Sequence, residues 1–183
     1  MRILTLVLAG FAMSALAFSA AKAADYEFST SIAAPNVKIA SISVNISDDV
    51  KNEKVRWDSR DIELLKKTLV KKVTSRLKRS DLMGDNGARL ELTLVEITPN
   101  RPTMHEMSKR TGLDYVSFGL GGAEVKAHLV AADGTDLGDM RYRYFADYLY
   151  DYSASATTWY DARRAFDKFA RRLVKELTAD PAS

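Results

Sequence analysis

Hydrophobic periodicity predicts an α+β fold, a two-layer sandwich in which two amphipathic helices pack on one face of a mainly antiparallel sheet. Three observations carry this. Leu90, Leu92 and Leu94 alternate with Arg89, Glu91 and Thr93, and Ala123, Val125, Ala127, Leu129 and Ala131 alternate in the same way, the period of strands with unlike faces. Ile62, Leu65, Leu69, Val73 and Leu77 recur at helical spacing, as do Trp159, Ala162, Phe166, Phe169, Leu173 and Leu177. The resulting order, strand, helix, strand, strand, strand, helix, leaves one sheet face for the helices and the other for solvent or a partner.

The elements follow in order. Met1-Arg2, an apolar run from Ile3 to Phe18 and the Ala21-Lys22-Ala23 site have the layout of a secretory signal peptide, which predicts cleavage after Ala23 and no retained transmembrane anchor. Residues 24–36 are rich in Ser, Thr and Ala, end in Pro35-Asn36, and read as a flexible lead-in to a single domain spanning 37–183. A first strand is expected from Val37 to Ile46, where Ala40, Ile42, Val44 and Ile46 alternate with Ser41, Ser43 and Asn45. A polar loop through Asp48-Asp49 leads to Asp58 and Asp61, a helix start, and the first long helix should stop near Ser80. The strand from Leu90 to Ile97 ends before Pro99 and Pro102, and the segment from Asn100 to Gly112 holds either a short helix around Met104 to Arg110 or a long loop. Asp133-Gly134 turns the next strand into another running from about Asp139 to Tyr150, a hairpin. Thr158 with Asp161 resembles a capping box opening the last helix, and Pro181 lies beyond its end.

Composition narrows the function classes. The 183 residues carry 27 Lys and Arg against 24 Asp and Glu, and loss of Arg2 and Lys22 with the signal leaves 25 against 24, a net charge close to +1. A nucleic-acid partner is therefore not expected. The chain has no cysteine, so it has neither a disulfide, nor a thiol nucleophile, nor a lipid-accepting residue at the cleavage point.

Chemistry-bearing motifs are sparse. Gly119-Leu120-Gly121-Gly122 runs into a strand instead of a helix, which is the context of a turn or bulge and not of a phosphate loop. His105 and His128 lack metal-ligand spacing, and no nucleophile elbow is present, so neither a metal nor a cofactor is expected. A hydrolase assembled from distant carboxylates, such as Asp147 and Asp151, stays open as an alternative.

Two surfaces stand out. Placing residues at 100° intervals sets Lys67, Lys71 and Lys78 opposite the apolar stripe of the first long helix, and Arg164, Lys168, Arg171, Arg172 and Lys175 opposite that of the last. Together they predict a basic helix exterior suited to anionic lipid, a polyanion or an acidic protein. Tyr142, Tyr144, Tyr148, Tyr150 and Tyr152 share one face of an uninterrupted strand, with Tyr148, Tyr150 and Tyr152 as a second candidate surface and Tyr142 and Tyr144 as core.

The stretch from Val116 to Val125, with its Phe118-Gly119-Leu120-Gly121-Gly122 core, and the following Asp133-Gly134-Thr135-Asp136-Leu137-Gly138 resemble uncharacterised bacterial cell-envelope proteins and lipoproteins of the domain-of-unknown-function kind. The resemblance covers residues 89–145 and implies an envelope domain without established catalysis. The lipoprotein members' membrane tether does not carry over, because the lipidated Cys is missing. The expectation is thus a periplasmic or, alternatively, secreted non-enzymatic binding or accessory domain whose partner is an envelope protein or an anionic envelope component.

Overall fold

The computed structural model describes residues 26–33, 35–147 and 157–179. In it the chain is an α+β sandwich. Five strands, β1 (Tyr26–Thr30), β2 (Ile39–Ile46), β3 (Ala88–Thr98), β4 (Gly122–Val130) and β5 (Asp136–Phe145), form one sheet in the order β1-β5-β4-β3-β2. Two short helices, α1 (Asp48–Asn52) and α3 (Met104–Lys109), sit in the connections, and the long helices α2 (Ser59–Arg79) and α4 (Tyr160–Thr178) pack on the sheet and on each other. Only β2 and β3 run parallel, because the α2 crossover returns the chain to its starting end; every other pair is antiparallel.

Local chemistry sets the boundaries. Asp58 caps α2 by accepting from the backbone N–H groups of Arg60 and Asp61, and Asp61 reaches back to the N–H of Asp58. In the β4–β5 turn Gly134 has φ of 91°, a left-handed conformation that favours glycine. Asp133 Oδ1 accepts from the Thr135 N–H there.

Four expectations are corrected. The lead-in is not wholly loose: Tyr26–Thr30 forms the edge strand β1, held on β5 with Tyr26 opposite Tyr144 and Phe28 opposite Tyr142. Its pairing partner lies more than a hundred residues away, so local composition does not report it. The Asp48-Asp49 loop contains α1, capped by Ser47 Oγ. Strand β5 covers Asp136–Phe145 and stops short of Tyr150, and Tyr148, Tyr150 and Tyr152 lie outside the described residues. Thr158 does not cap α4; Trp159 occupies the N-cap position without a side-chain bond, because its indole N–H is a donor and offers no acceptor to the first turn.

The core lies between sheet and helices. Leu65, Leu69, Val73 and Leu77 of α2 and Phe166, Phe169, Leu173 and Leu177 of α4 bury fully against Leu90, Leu92, Leu94, Val125, Leu129 and Met140. Ala123 and Ala127 of β4 and Ala162, Ala165 and Ala170 of α4 are small enough to bring helix backbone close to sheet and to leave room for the two phenyl rings. Trp57 and Trp159, with centroids 6.0 Å apart, close one end of the core, and the Trp57 indole N–H donates to Val50 O at 2.9 Å.

Candidate functional site

Because α2 rests on β2 and β2 is the last strand of the sheet, the outer flank of α2 and the strand edge form the two walls of a groove of about 940 Å³. Val44 of β2 and Val70 of α2 supply its apolar lining, with Thr74 beside them. Five cations, Lys66, Lys67, Lys71, Lys78 and Arg79, one carboxylate, Glu63, and Ser75 line the rest. Glu63 is engaged by Lys66 at 3.0 Å, and Arg79 turns back onto Ser75. Lys67, Lys71 and Lys78 are exposed and face no acidic partner among the described residues.

The cations of α4 behave differently. Asp167 sits between the helices, ion-paired with Arg76 at 3.1 Å, with Lys72 at 3.9 Å and with Arg171. Burial opposes ionisation of Asp167, but Arg76 and Arg171 outweigh it and hold its carboxyl below the usual range. Arg172 pairs with Glu176 at 3.0 Å and its guanidinium lies 3.9 Å from the Phe28 ring centroid. Lys168 lies 3.5 Å from the centre of the Tyr144 ring, where burial and then the neighbouring Arg164 lower its proton affinity. Arg164 and Lys175 stay exposed. The predicted basic exterior is thus divided: three free lysines beside β2, and an α4 set largely committed to Asp167, Glu176 and aromatic rings. Tyr142 and Tyr144 are core residues, and burial raises the Tyr142 hydroxyl to about 12.

On the sheet face away from the helices, Arg141 grips Glu124 with two bonds of 2.7 and 3.0 Å and reaches Glu27 at 3.5 Å, while Arg143 bridges Glu124 and Glu96. Glu124 is only 2% exposed. Burial works against its ionisation, yet Arg141 and Arg143 prevail and keep it below the usual carboxylate range. A depressed folded-state pKa means that the ion ladder stabilises the fold above the unfolded value, near 4.5, and loses this contribution as pH falls through the folded value. Glu124→Gln is expected to cost about 2–3 kcal/mol at neutral pH, less than a fully buried pair because Arg141 keeps contact with water, and progressively less in acid. Urea melts of both proteins across this pH range check it; a constant difference would remove the ionic cause. His128, on the same face, places Nδ1 2.9 Å from Asp139 Oδ1.

At the end of the sheet formed by Thr98, Gly122 and Phe145, the glycine segment is held by a buried polar knot. Asn100 Oδ1 accepts from the Asp161 N–H at 2.8 Å, Asn100 Nδ2 donates to an Asp161 carboxylate oxygen and to Gly119 O, and the Gly121 N–H donates to Asp161 at 3.2 Å. A Cβ on Gly121 would stand 2.7 Å from Asn100 Oδ1 and 2.8 Å from Thr98 O, so glycine is needed for close approach, in agreement with a turn and not a phosphate loop. Beside it Met104, Tyr115, Val116, Phe118 and Leu120 project into solvent, and the Tyr115 hydroxyl meets the Met104 sulfur. His105 bonds Lys54 O at 2.7 Å.

Sequence reading found the groove lysines but missed its apolar floor and the ion ladder. Val70 lies one turn from Lys67 and Thr74 on the flank of the helical stripe, and Glu124 faces Arg141 and Arg143 once the hairpin is folded across Asp133-Gly134; both signals appear only after the elements are paired. Among the described residues no group of three His, Cys, Asp or Glu could hold a metal ion, and no helix is long and apolar enough to cross a membrane.

Fold and surface together define a class: a two-layer α+β domain with an ion-laddered open sheet face and a lysine-lined groove at one sheet edge. No protein-family model matches the chain, and no curated protein matches it. Among solved structures it is similar to the PelC dodecamer from Paraburkholderia phytofirmans, at 10% identity and a TM-score of 0.46 over 85% of this chain and 99% of that one. A single-substitution variant of the same dodecamer gives 10% identity and a TM-score of 0.48 over 86% and 100%.

Proposed function

We propose that this chain is an exported, periplasmic binding domain, a non-enzymatic accessory of a cell-envelope process, and that it engages an anionic envelope component through the groove between α2 and β2. The observation that carries this reading is the row Lys67, Lys71 and Lys78, three exposed ammonium groups with no counter-charge among the described residues, beside the apolar Val44 and Val70. Such a site attracts an anion by charge and retains it by apolar contact. The signal-like opening, Met1 to Ala23, and the envelope resemblance support the location. Binding is favoured over a carboxylate hydrolase because the groove is lined by one carboxylate, Glu63, which Lys66 engages at 3.0 Å, and not by a convergent pair of acids.

The test compares two triple charge reversals of equal size. Lys67→Glu with Lys71→Glu and Lys78→Glu should weaken retention on an anionic matrix roughly tenfold or more, since three modest ionic contacts sum to about 1.4 kcal/mol or above. Arg164→Glu with Arg171→Glu and Lys175→Glu should change it far less, and added salt should erase the difference. Equal losses from both variants would show that net charge alone governs retention.

A further inference from the structure

We propose that the occupant of the groove is an extended acidic peptide segment of another envelope protein, which adds as a sixth strand on the free edge of β2; this takes the anion-binding groove as given and specifies what fills it. Strand β2 pairs with β3 along one side, and on the other only Ile39 is engaged among the described residues, its N–H donating to Leu82 O and its C=O accepting from the Gly84 N–H. The Ser47 N–H donates to Leu94 O, and the alternation of a parallel ladder then turns the N–H and C=O groups of Ile42, Val44 and Ile46 away from β3, where no bond engages them among the described residues. The side chains of the same three residues are half-buried, packed against the core on one side and left open on the other.

Main-chain pairing and side-chain pockets therefore coincide, which is the requirement for strand addition. The open stretch of β2 beyond Ile39 spans about 23 Å, room for a segment of five to seven residues. The added strand's helix-facing side chains would fall along the α2 flank, where Lys67, Lys71 and Lys78 select carboxylates and Val70 accepts an apolar residue between them. Charge complementarity argues against a second copy pairing edge to edge, since β2 against β2 would bring two rows of unpaired lysines together. Lysines beside an open edge also repel basic strands and would lose water without recompense against neutral ones, so the same residues guard the edge and choose its partner.

The experiment uses a panel of eight-residue peptides in which Glu alternates with Val, Ile or Thr, a heparin oligosaccharide, and two versions of the best-binding peptide N-methylated on alternate sets of residues. Titration calorimetry should show that one methylated version loses affinity tenfold or more while the other binds as the parent does, because only one set of amides faces β2. Amide exchange at Ile42, Val44 and Ile46 should slow on addition of the parent peptide. Equal binding by both methylated versions, with heparin still bound through Lys67, Lys71 and Lys78, would overturn strand addition and leave the anionic groove standing. Failure of every probe, or indifference to the lysine reversal, would overturn both readings. Protection of the same amides by self-association, in sedimentation without peptide, would name a second copy as the occupant and overturn the proposal.

Discussion

Phe169→Ala is expected to destabilise the domain by about 3–5 kcal/mol, the cost of removing a fully buried aromatic side chain. The ring lies at the centre of the helix–sheet interface and meets Tyr142 edge-on, centroids 6.4 Å apart at 70°. Tyr142 is itself held in the core and the α4 backbone is already close to β4, so the space does not close. A fall in melting temperature of roughly 10 °C follows for a domain of this size. Arg164→Ala on the exposed side of the same helix should stay within about 0.5 kcal/mol, which separates packing from helix propensity. Chemical unfolding of both variants with an unchanged denaturant slope checks the prediction. A loss below about 1 kcal/mol for Phe169→Ala would mean that α4 does not pack as described.

The polar knot should give the second large effect. Asn100→Ala removes the acceptor for the Asp161 N–H and two donor contacts from a site that is 1% exposed, leaving the Asp161 side chain with the Gly121 N–H. Each of Asn100→Ala and Asp161→Ala is expected to cost about 2–4 kcal/mol, more than an average hydrogen bond, since buried polar groups are stranded in both cases. The double variant should cost less than the sum by about 1–3 kcal/mol, the coupling typical of residues in one network. Amide exchange at Gly121 should accelerate in Asp161→Ala and in the double variant, because its N–H donates to the Asp161 side chain, while the Gly119 N–H, bonded to the main-chain O of Asn100, keeps its acceptor in all three. Strict additivity would show that the two side chains act independently.

Much of this fold was legible from local pattern. The apolar positions of α2 and α4, the alternation in β3 and β4, the Asp58 cap and the Asp133-Gly134 turn each repeat a period or a bond that a segment makes with itself or its nearest neighbours. The short helix from Met104 to Lys109 is one of two readings of a segment without periodicity, and its choice depended on Thr103, which caps it through the Glu106 N–H while its hydroxyl donates to Arg56 O. Strand β1 was missed for a like reason, as Tyr26 and Phe28 find their place only on β5 and beneath Arg172.

The candidate site divides along the same line. Sequence alone determined that the protein has two basic helix faces, an apolar stripe beneath each and no cysteine, because periodicity and composition are properties of the chain by itself. Tertiary structure decided which cations are free. Asp167 enters from α4 and is shared with Arg76 and Lys72 of α2, Phe28 and Tyr144 take up Arg172 and Lys168, and β2 ends the sheet, so Lys67, Lys71 and Lys78 are left beside an open edge. A charge's partners are set by distances of a few ångströms across elements that lie far apart in the sequence, and burial sets how strongly each pair is felt; neither quantity exists until the helices dock.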